Sequence, residues 1–284
     1  MSLAIILFIF SIVLAFILIM KRLNIALALG LALLTYSLPL LGIEIIRVSG
    51  NVFDVPLLNT LLSLILAMFL ADLFRSTYIA DKVVESLESL SPRIAGISIP
   101  AIIGLLPMPA GAYVSATIIS PLYTECRLTP YEKTFLNYWF RHIWVAIWPL
   151  YQSVILASAI LGMSFNSIIY YNWPIFVGAV AGGIIGSRTI LYRVNSNCVG
   201  FRKNRDFVNL IYLWPFIAIV IMALGIGLPL SLSLAITVIM FILIHRPSKA
   251  MIKSGLKYSL DPTIMSLIIE SMIFSRVIVE TGLS

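Results

Sequence analysis

The chain has 284 residues, of which 61% are hydrophobic and only 11% charged, with a formal net charge of +7. Soluble domains carry about 25% charged residues, so this composition excludes a water-soluble globular protein and predicts a polytopic membrane protein. The positive balance is not a nucleic-acid signature, and no nucleic-acid partner is expected: Lys and Arg fall in short stretches between apolar runs, where they act as topology signals.

The N-terminal Met1-Ser2-Leu3-Ala4 lacks the basic segment of a cleaved leader, so the run over about 2–20 reads as a retained helix. Further apolar runs cover about 23–43, 56–74, 94–123, 135–161, 173–191, 210–225, 228–245 and 262–279. A spanning helix needs roughly 20 residues. The run 94–123 is too long for one simple span and too short for two, and it breaks at Pro107-Met108-Pro109-Ala110-Gly111. Prolines remove backbone donors and glycine loosens the backbone. In hydrocarbon such a break is tolerated only where the freed groups are buried in protein or line a watery cavity. Just before it, Val83-Val84-Glu85-Ser86-Leu87-Glu88-Ser89-Leu90 is amphipathic and reads as an interfacial linker.

Orientation follows from the basic residues. Lys21 and Arg22 follow the first run, Arg75, Lys82 and Arg93 the third. Arg188, Arg193, Arg202, Lys203 and Arg205 follow the sixth, and Arg246, Lys249, Lys253 and Lys257 the eighth. All four groups are placed in the cytoplasm. Between Arg93 and Arg188 the runs 135–161 and 173–191 are two full crossings that cancel. The run 94–123 must then enter and leave on one side, as a re-entrant hairpin with Pro107–Gly111 at its tip.

Leu23-Asn24-Ile25-Ala26-Leu27-Ala28-Leu29 echoes Leu228-Pro229-Leu230-Ser231-Leu232-Ser233-Leu234, and an offset about one residue shorter lays Met68 on Met272 and Thr77 on Thr281. Either these are chance matches between Leu-rich helices or they mark a duplication. One unit of five crossings plus a hairpin inverts the next copy, an arrangement used by transporters. The expected fold is therefore an all-α polytopic bundle of about eight full spans plus the hairpin. Residues 1–206 form the first repeat, with its hairpin at 94–123, and 207–284 a partial second inverted repeat. No second Pro-Met-Pro-Ala-Gly follows, so the expectation is a truncated or split version of a longer protein, with a homodimer or a partner chain completing the second repeat.

Several residues carry candidate chemistry. At the tip, Pro107, Pro109, Gly111 and Ala112 precede a helix start, whose free N–H groups and positive dipole end suit an anion. Ser115 and Thr117 add hydroxyls, and the alternative is a proline-kinked packing element with no ligand. Arg141 lies about 12 Å into its run, where a charge is costly unless paired or wetted. Either it binds a carboxylate through its planar fork or it snorkels to the surface with Trp139 and Trp144 as packing. His142 is a candidate proton carrier. Asn137, one turn earlier, either shares the Arg141 face or makes an interhelical hydrogen bond, and Pro149 is expected to kink this run. Glu270, the acidic residue near the middle of a span, either carries a coupling proton, pairs with Arg141, or belongs to a structural pair near Arg276. Asp72 and Arg75 are expected at the interface. Gly178, Gly182 and Gly186 form a small-residue ridge for helix packing. Cys126 and Cys198 lack CxxC spacing, so neither a metal site nor a disulfide is indicated.

The segments Gly104-Leu105-Leu106-Pro107-Met108-Pro109-Ala110-Gly111-Ala112 and Asn137-Tyr138-Trp139-Phe140-Arg141-His142 resemble an uncharacterised prokaryotic integral membrane family, domain of unknown function four hundred and one. That family in turn resembles the ion transporter superfamily of permeases for organic and inorganic anions, which includes citrate, dicarboxylate and gluconate carriers. The family pattern usually reads Pro-Gly-Gly-Ala after the first Pro-Met, and Ala110 here replaces one glycine. Members tend to be longer, with a second hairpin. The resemblance implies a multi-pass cell-membrane permease, and the residues agree. The expectation is a secondary transporter, or part of one, that moves a small anionic solute coupled to H+ or Na+ and needs no cofactor. There is no Walker loop, HExxH or GxSxG, so an enzyme is not expected. The alternatives are a membrane-embedded enzyme or an accessory subunit without autonomous transport.

Overall fold

A computed structural model describes residues 3–88, 91–106, 111–197 and 208–283, and every regular element among them is helical. In chain order these are α1 (Leu3–Met20), α2 (Ile25–Leu41), α3 (Glu44–Gly50), α4 (Val55–Ser76), α5 (Ile79–Glu88), α6 (Pro92–Gly104), α7 (Gly111–Glu125) and α8 (Pro130–His142). Then come α9 (Gln152–Leu161), α10 (Phe165–Gly186) and α11 (Arg188–Asn197). A 3-10 segment (Val208–Leu213), α12 (Trp214–Val220) and a π segment (Ile221–Gly225) follow one another, before α13 (Leu230–His245), α14 (Lys249–Ser259) and α15 (Pro262–Glu280).

Among the described residues, five stretches are long and apolar enough to cross a membrane: Leu3–Met20, Val55–Ser76, Phe165–Gly186, Val208–Gly225 and Lys249–Glu280. Four apolar helices, α2, α6, α9 and α13, are shorter, at 10–17 residues. At 1.5 Å per residue a 13-residue helix such as α6 rises only about 20 Å, well short of a hydrocarbon core of about 30 Å. By length alone, then, five spans stand where about eight were expected. Large apolar side chains lie outward, among them Phe10, Phe16, Ile17 and Met20 of α1. Such an outward apolar surface is compatible with a membrane protein.

The described chain forms two compact units: Met1–Leu62 with Ala159–Gly162 and Leu260–Ser284, and Ser63–Ser158 with Met163–Ser259. In the first, α1 and α2 are antiparallel across a tight turn. Asn24 caps α2, its Oδ1 accepting the Ala26 N–H at 2.9 Å. Asp261 caps α15 in the same way, from Thr263 N–H at 2.8 Å, with Pro262 in the first turn, where its missing N–H costs nothing. α15 runs parallel to α2: Glu270 lies against Gly30, Phe274 stacks on Tyr36 at 5.6 Å, and Thr281 meets the Tyr36 hydroxyl at 2.6 Å. Phe8 of α1 packs edge-on against Tyr36 at 5.8 Å, around the buried side chains of Leu33, Val48 and Val277.

The second unit is organised around α8. Thr129 and Glu132 close a reciprocal capping box at its start, and the other Glu132 carboxylate oxygen is paired with Arg193 of α11. The stretch 188–197, expected as loop, is helical and tied to α8, while Arg202, Lys203 and Arg205 lie outside the described residues. On the facing side, α10 lays Gly183 and Gly186 against Trp139 and Phe135, whereas Gly178 meets nothing. Gly183, which is not in the four-residue ridge, makes the tightest approach. Two sequence expectations need correction. The run 135–161 is not one helix with a kink at Pro149: α8 stops at His142, residues 143–151 are turns, and helix resumes at Gln152. Hydropathy cannot register such a break, because Trp144 and Trp148 are as apolar in the turns as in a helix. Cys126, expected to be outside any disulfide, is buried and disulfide-bonded. The other cysteine of the chain, Cys198, is outside the described residues.

Gly104→Ala would place a methyl 2.2 Å from the Arg141 backbone oxygen, an overlap that rigid backbone cannot relieve. We expect it to destabilise the protein by about 1–3 kcal/mol or more. Gly178→Ala, with open space around it, is expected to be neutral or stabilising within about 1 kcal/mol. Thermal unfolding in detergent compares the two.

Candidate functional site

Three helix ends meet within the second unit. Gly104, the last residue of α6, packs directly on Arg141 near the end of α8, and the first turn of α7 bonds to Asn137, one turn earlier on α8. α6 and α7 are antiparallel, since Tyr123 near the end of α7 donates to the Gly96 carbonyl near the start of α6 at 2.6 Å. The residues that join them, Pro107, Met108, Pro109 and Ala110, lie outside the described residues. Gly111 and Ala112 are described and open α7.

Helix ends carry backbone groups without intrahelical partners, and away from water these need substitutes. Around α6 and α8 the substitutes are side chains. The Trp144 indole N–H donates to the Ala101 carbonyl at 2.8 Å, and that of Trp148 to the Leu105 carbonyl at 2.9 Å. The Tyr151 hydroxyl donates to the Arg141 carbonyl at 3.3 Å. The turn stretch after α8 thus folds back to cap the end of α6. Gly104 and the Trp144/Trp148 pair are absent from the sequence-derived candidates. The only signals they give in the chain are a glycine three residues before a proline and two tryptophans four apart.

Ser115 is fully buried and donates to Asn137 Oδ1 at 2.6 Å. Asn137 Nδ2 donates to the Ala112 carbonyl at 3.0 Å. Asn137 therefore makes the interhelical bonds that were one of its two readings, and the Ser115 proton is committed to it. Thr117 is exposed and bonds back to Tyr113 of its own helix at 3.0 Å, so it adds no donor to the helix end.

Arg141 sits one turn beyond Asn137, on the same side of α8. It is 6% exposed. Its Nε is buried with no hydrogen-bond partner, and among the described residues it belongs to no ion pair. Its neighbour His142 holds Nδ1 2.6 Å from the Tyr138 carbonyl. A carbonyl only accepts, so Nδ1 carries a proton, and Nε2 lies 3.5 Å from Arg141 Nη1. The arrangement is a guanidinium with a buried, unpartnered Nε beside an imidazole, at a point where helices stop.

Glu270 belongs to the first unit, on α15 against α2, and it too is in no ion pair among the described residues. Asp72 accepts from Arg75 at 2.9 Å and is buried, a structural pair within one helix turn. Among the described residues no group of His, Cys, Asp and Glu could hold a metal ion.

Asn137→Ala removes both α7 contacts and leaves the buried Ser115 hydroxyl without its acceptor. The expected cost is about 1–3 kcal/mol, against less than about 0.5 kcal/mol for the exposed Thr117→Ala, read by the same unfolding assay.

No curated protein matches the chain. Over residues 2–284 it matches the family described as Protein of unknown function (DUF401), and it belongs to that family.

Proposed function

We propose that the chain is a multi-pass cell-membrane secondary transporter, or part of one, that moves a small organic or inorganic anion coupled to H+ or Na+. The observation that carries this reading is Arg141: a buried guanidinium, with an unpartnered Nε and no ion pair among the described residues, placed where α6, α7 and α8 end. An intramembrane charge of this kind is expensive to keep and marks a substrate or ion pathway. Its planar fork matches a carboxylate, sulfate or phosphate, and the α7 N-terminus supplies a positive dipole end nearby.

α6 and α7 support the re-entrant hairpin. Each is too short to cross, at 13 and 15 residues, and they are antiparallel. The parallel pairing of α2 and α15 is what the charge-derived orientation requires, since both runs then point outward. The inverted repeat, with copies at 1–206 and 207–284 and about eight crossings in all, is part of this proposal. It fits a substrate held at discontinuous helices near the midplane. His142, with its proton held on Nδ1, is placed to respond to charge at Arg141.

Uptake of labelled di- and tricarboxylates and of inorganic anions into proteoliposomes tests the reading. With a proton or sodium gradient, at least one of these should accumulate. Arg141→Ala should weaken its uptake about 10–100-fold, the loss of one charged hydrogen-bonding group. Arg141→Lys should recover only part of it, and Gly178→Ala should leave it unchanged. Unaltered uptake by Arg141→Ala, or turnover of the solute without accumulation, would contradict the proposal.

A further inference from the structure

Glu270 stands about 12 Å along α15 from Pro262. Its contact with α2 is close: a Cβ at Gly30 would lie 3.3 Å from Glu270 Oε1, and Oε2 is buried with no hydrogen-bond partner. Gly30 therefore makes room for the carboxyl group, and any larger residue there would press on it.

The helices packed around this carboxyl offer it nothing. α1 and α2 carry no charged residue within Leu3–Met20 and Ile25–Leu41. On α3, Glu44 and Arg47 pair with each other. On α15, Arg276 and Glu280 are the other charged groups, and Arg276 lines a separate cleft of about 350 Å³ with Asn51, Asp54 and Ser275. Tyr36, the titratable side chain of α2, is bonded to Thr281 at 2.6 Å. Four nearby hydroxyls are turned into their own helices: Ser11 to Phe8, Thr35 to Leu31, Ser37 to Leu33 and Ser271 to Leu267, at 2.6–2.8 Å. Sodium sites in transporters use unwound backbone carbonyls, but α2 and α15 are continuous helices at this level. A bare carboxylate without donor, counter-ion or cation ligands is costly in hydrocarbon, and the proton-loaded group is not.

We infer that Glu270 is a proton-binding site at the α2–α15 contact, and that protons rather than sodium ions couple to the transport proposed above. The first statement stands on the packing alone; the second rests on the transport reading.

The test is reaction of the full chain in liposomes with dicyclohexylcarbodiimide, an apolar reagent that adds to protonated carboxyl groups, with the adduct located by mass spectrometry. The expected result is an adduct at Glu270 whose yield falls about tenfold per pH unit on the alkaline side of its titration. Replacing potassium by sodium should not change it, and Glu270→Gln should abolish it. Gly30→Leu, which fills the space beside the carboxyl, should reduce it. No adduct at Glu270, a yield indifferent to pH, or protection by sodium would overturn the proton site. The coupling role is read separately: Glu270→Gln should lose accumulation driven by a pH gradient but keep downhill exchange. A pH-dependent adduct on a protein that transports nothing would retain the site and remove its coupling role.

Discussion

The need to satisfy backbone polar groups at helix ends that stop short of a full crossing governs the second unit. α6 ends after 13 residues and so does α8, each roughly 20 Å long. Carbonyls left open in hydrocarbon would cost several kcal/mol each. Trp144 and Trp148 donate to the last turns of α6, Tyr151 to the end of α8, and Asn137 to the first turn of α7. Gly104 allows the two C-terminal ends to touch.

This arrangement accounts for Arg141. Caps meet the backbone demand, but the guanidinium keeps an unused donor at the same spot. A structural arginine would be expected to have a carboxylate or a full set of carbonyls. Among the described residues Arg141 has no such carboxylate, and its Nε is unbonded. Glu270 is the corresponding case in the first unit: an acid held against Gly30 with one carboxyl oxygen buried and unbonded.

Much of the architecture is legible in the chain. Thr129-Pro130-Tyr131-Glu132 is a capping box with proline in the first turn, and the structure forms it. Asn24 and Asp261-Pro262 start α2 and α15 as such residues should. The interruption near Pro107 is visible because proline and glycine announce it. The second interruption, after His142, is not, because it is made by tryptophans whose side chains leave the local helix to cap a distant one. The same reason hides the roles of Gly104 and Gly30: a close approach between helices depends on what lies opposite, and no local pattern records that. Ser115 and Asn137 were recognisable as polar groups in apolar surroundings, but their mutual bond is a tertiary fact. The burial of Arg141 was inferable from its depth, and its lack of a partner was not.

Two signals differ about which face the α6 entry and α7 exit share. The basic residues assign it to the cytoplasm, whereas disulfides such as that of Cys126 persist mainly in oxidising compartments. α6 and α7 are antiparallel, which sets the start of α6 beside the end of α7. Single cysteines in place of Arg93 and Arg127, both exposed and flanking the helix pair, introduced into a cysteine-free chain and probed with a membrane-impermeant maleimide in intact and permeabilised cells, measure it directly. The account predicts that both positions react under the same condition. Reaction of one in intact cells and of the other only after permeabilisation would contradict it.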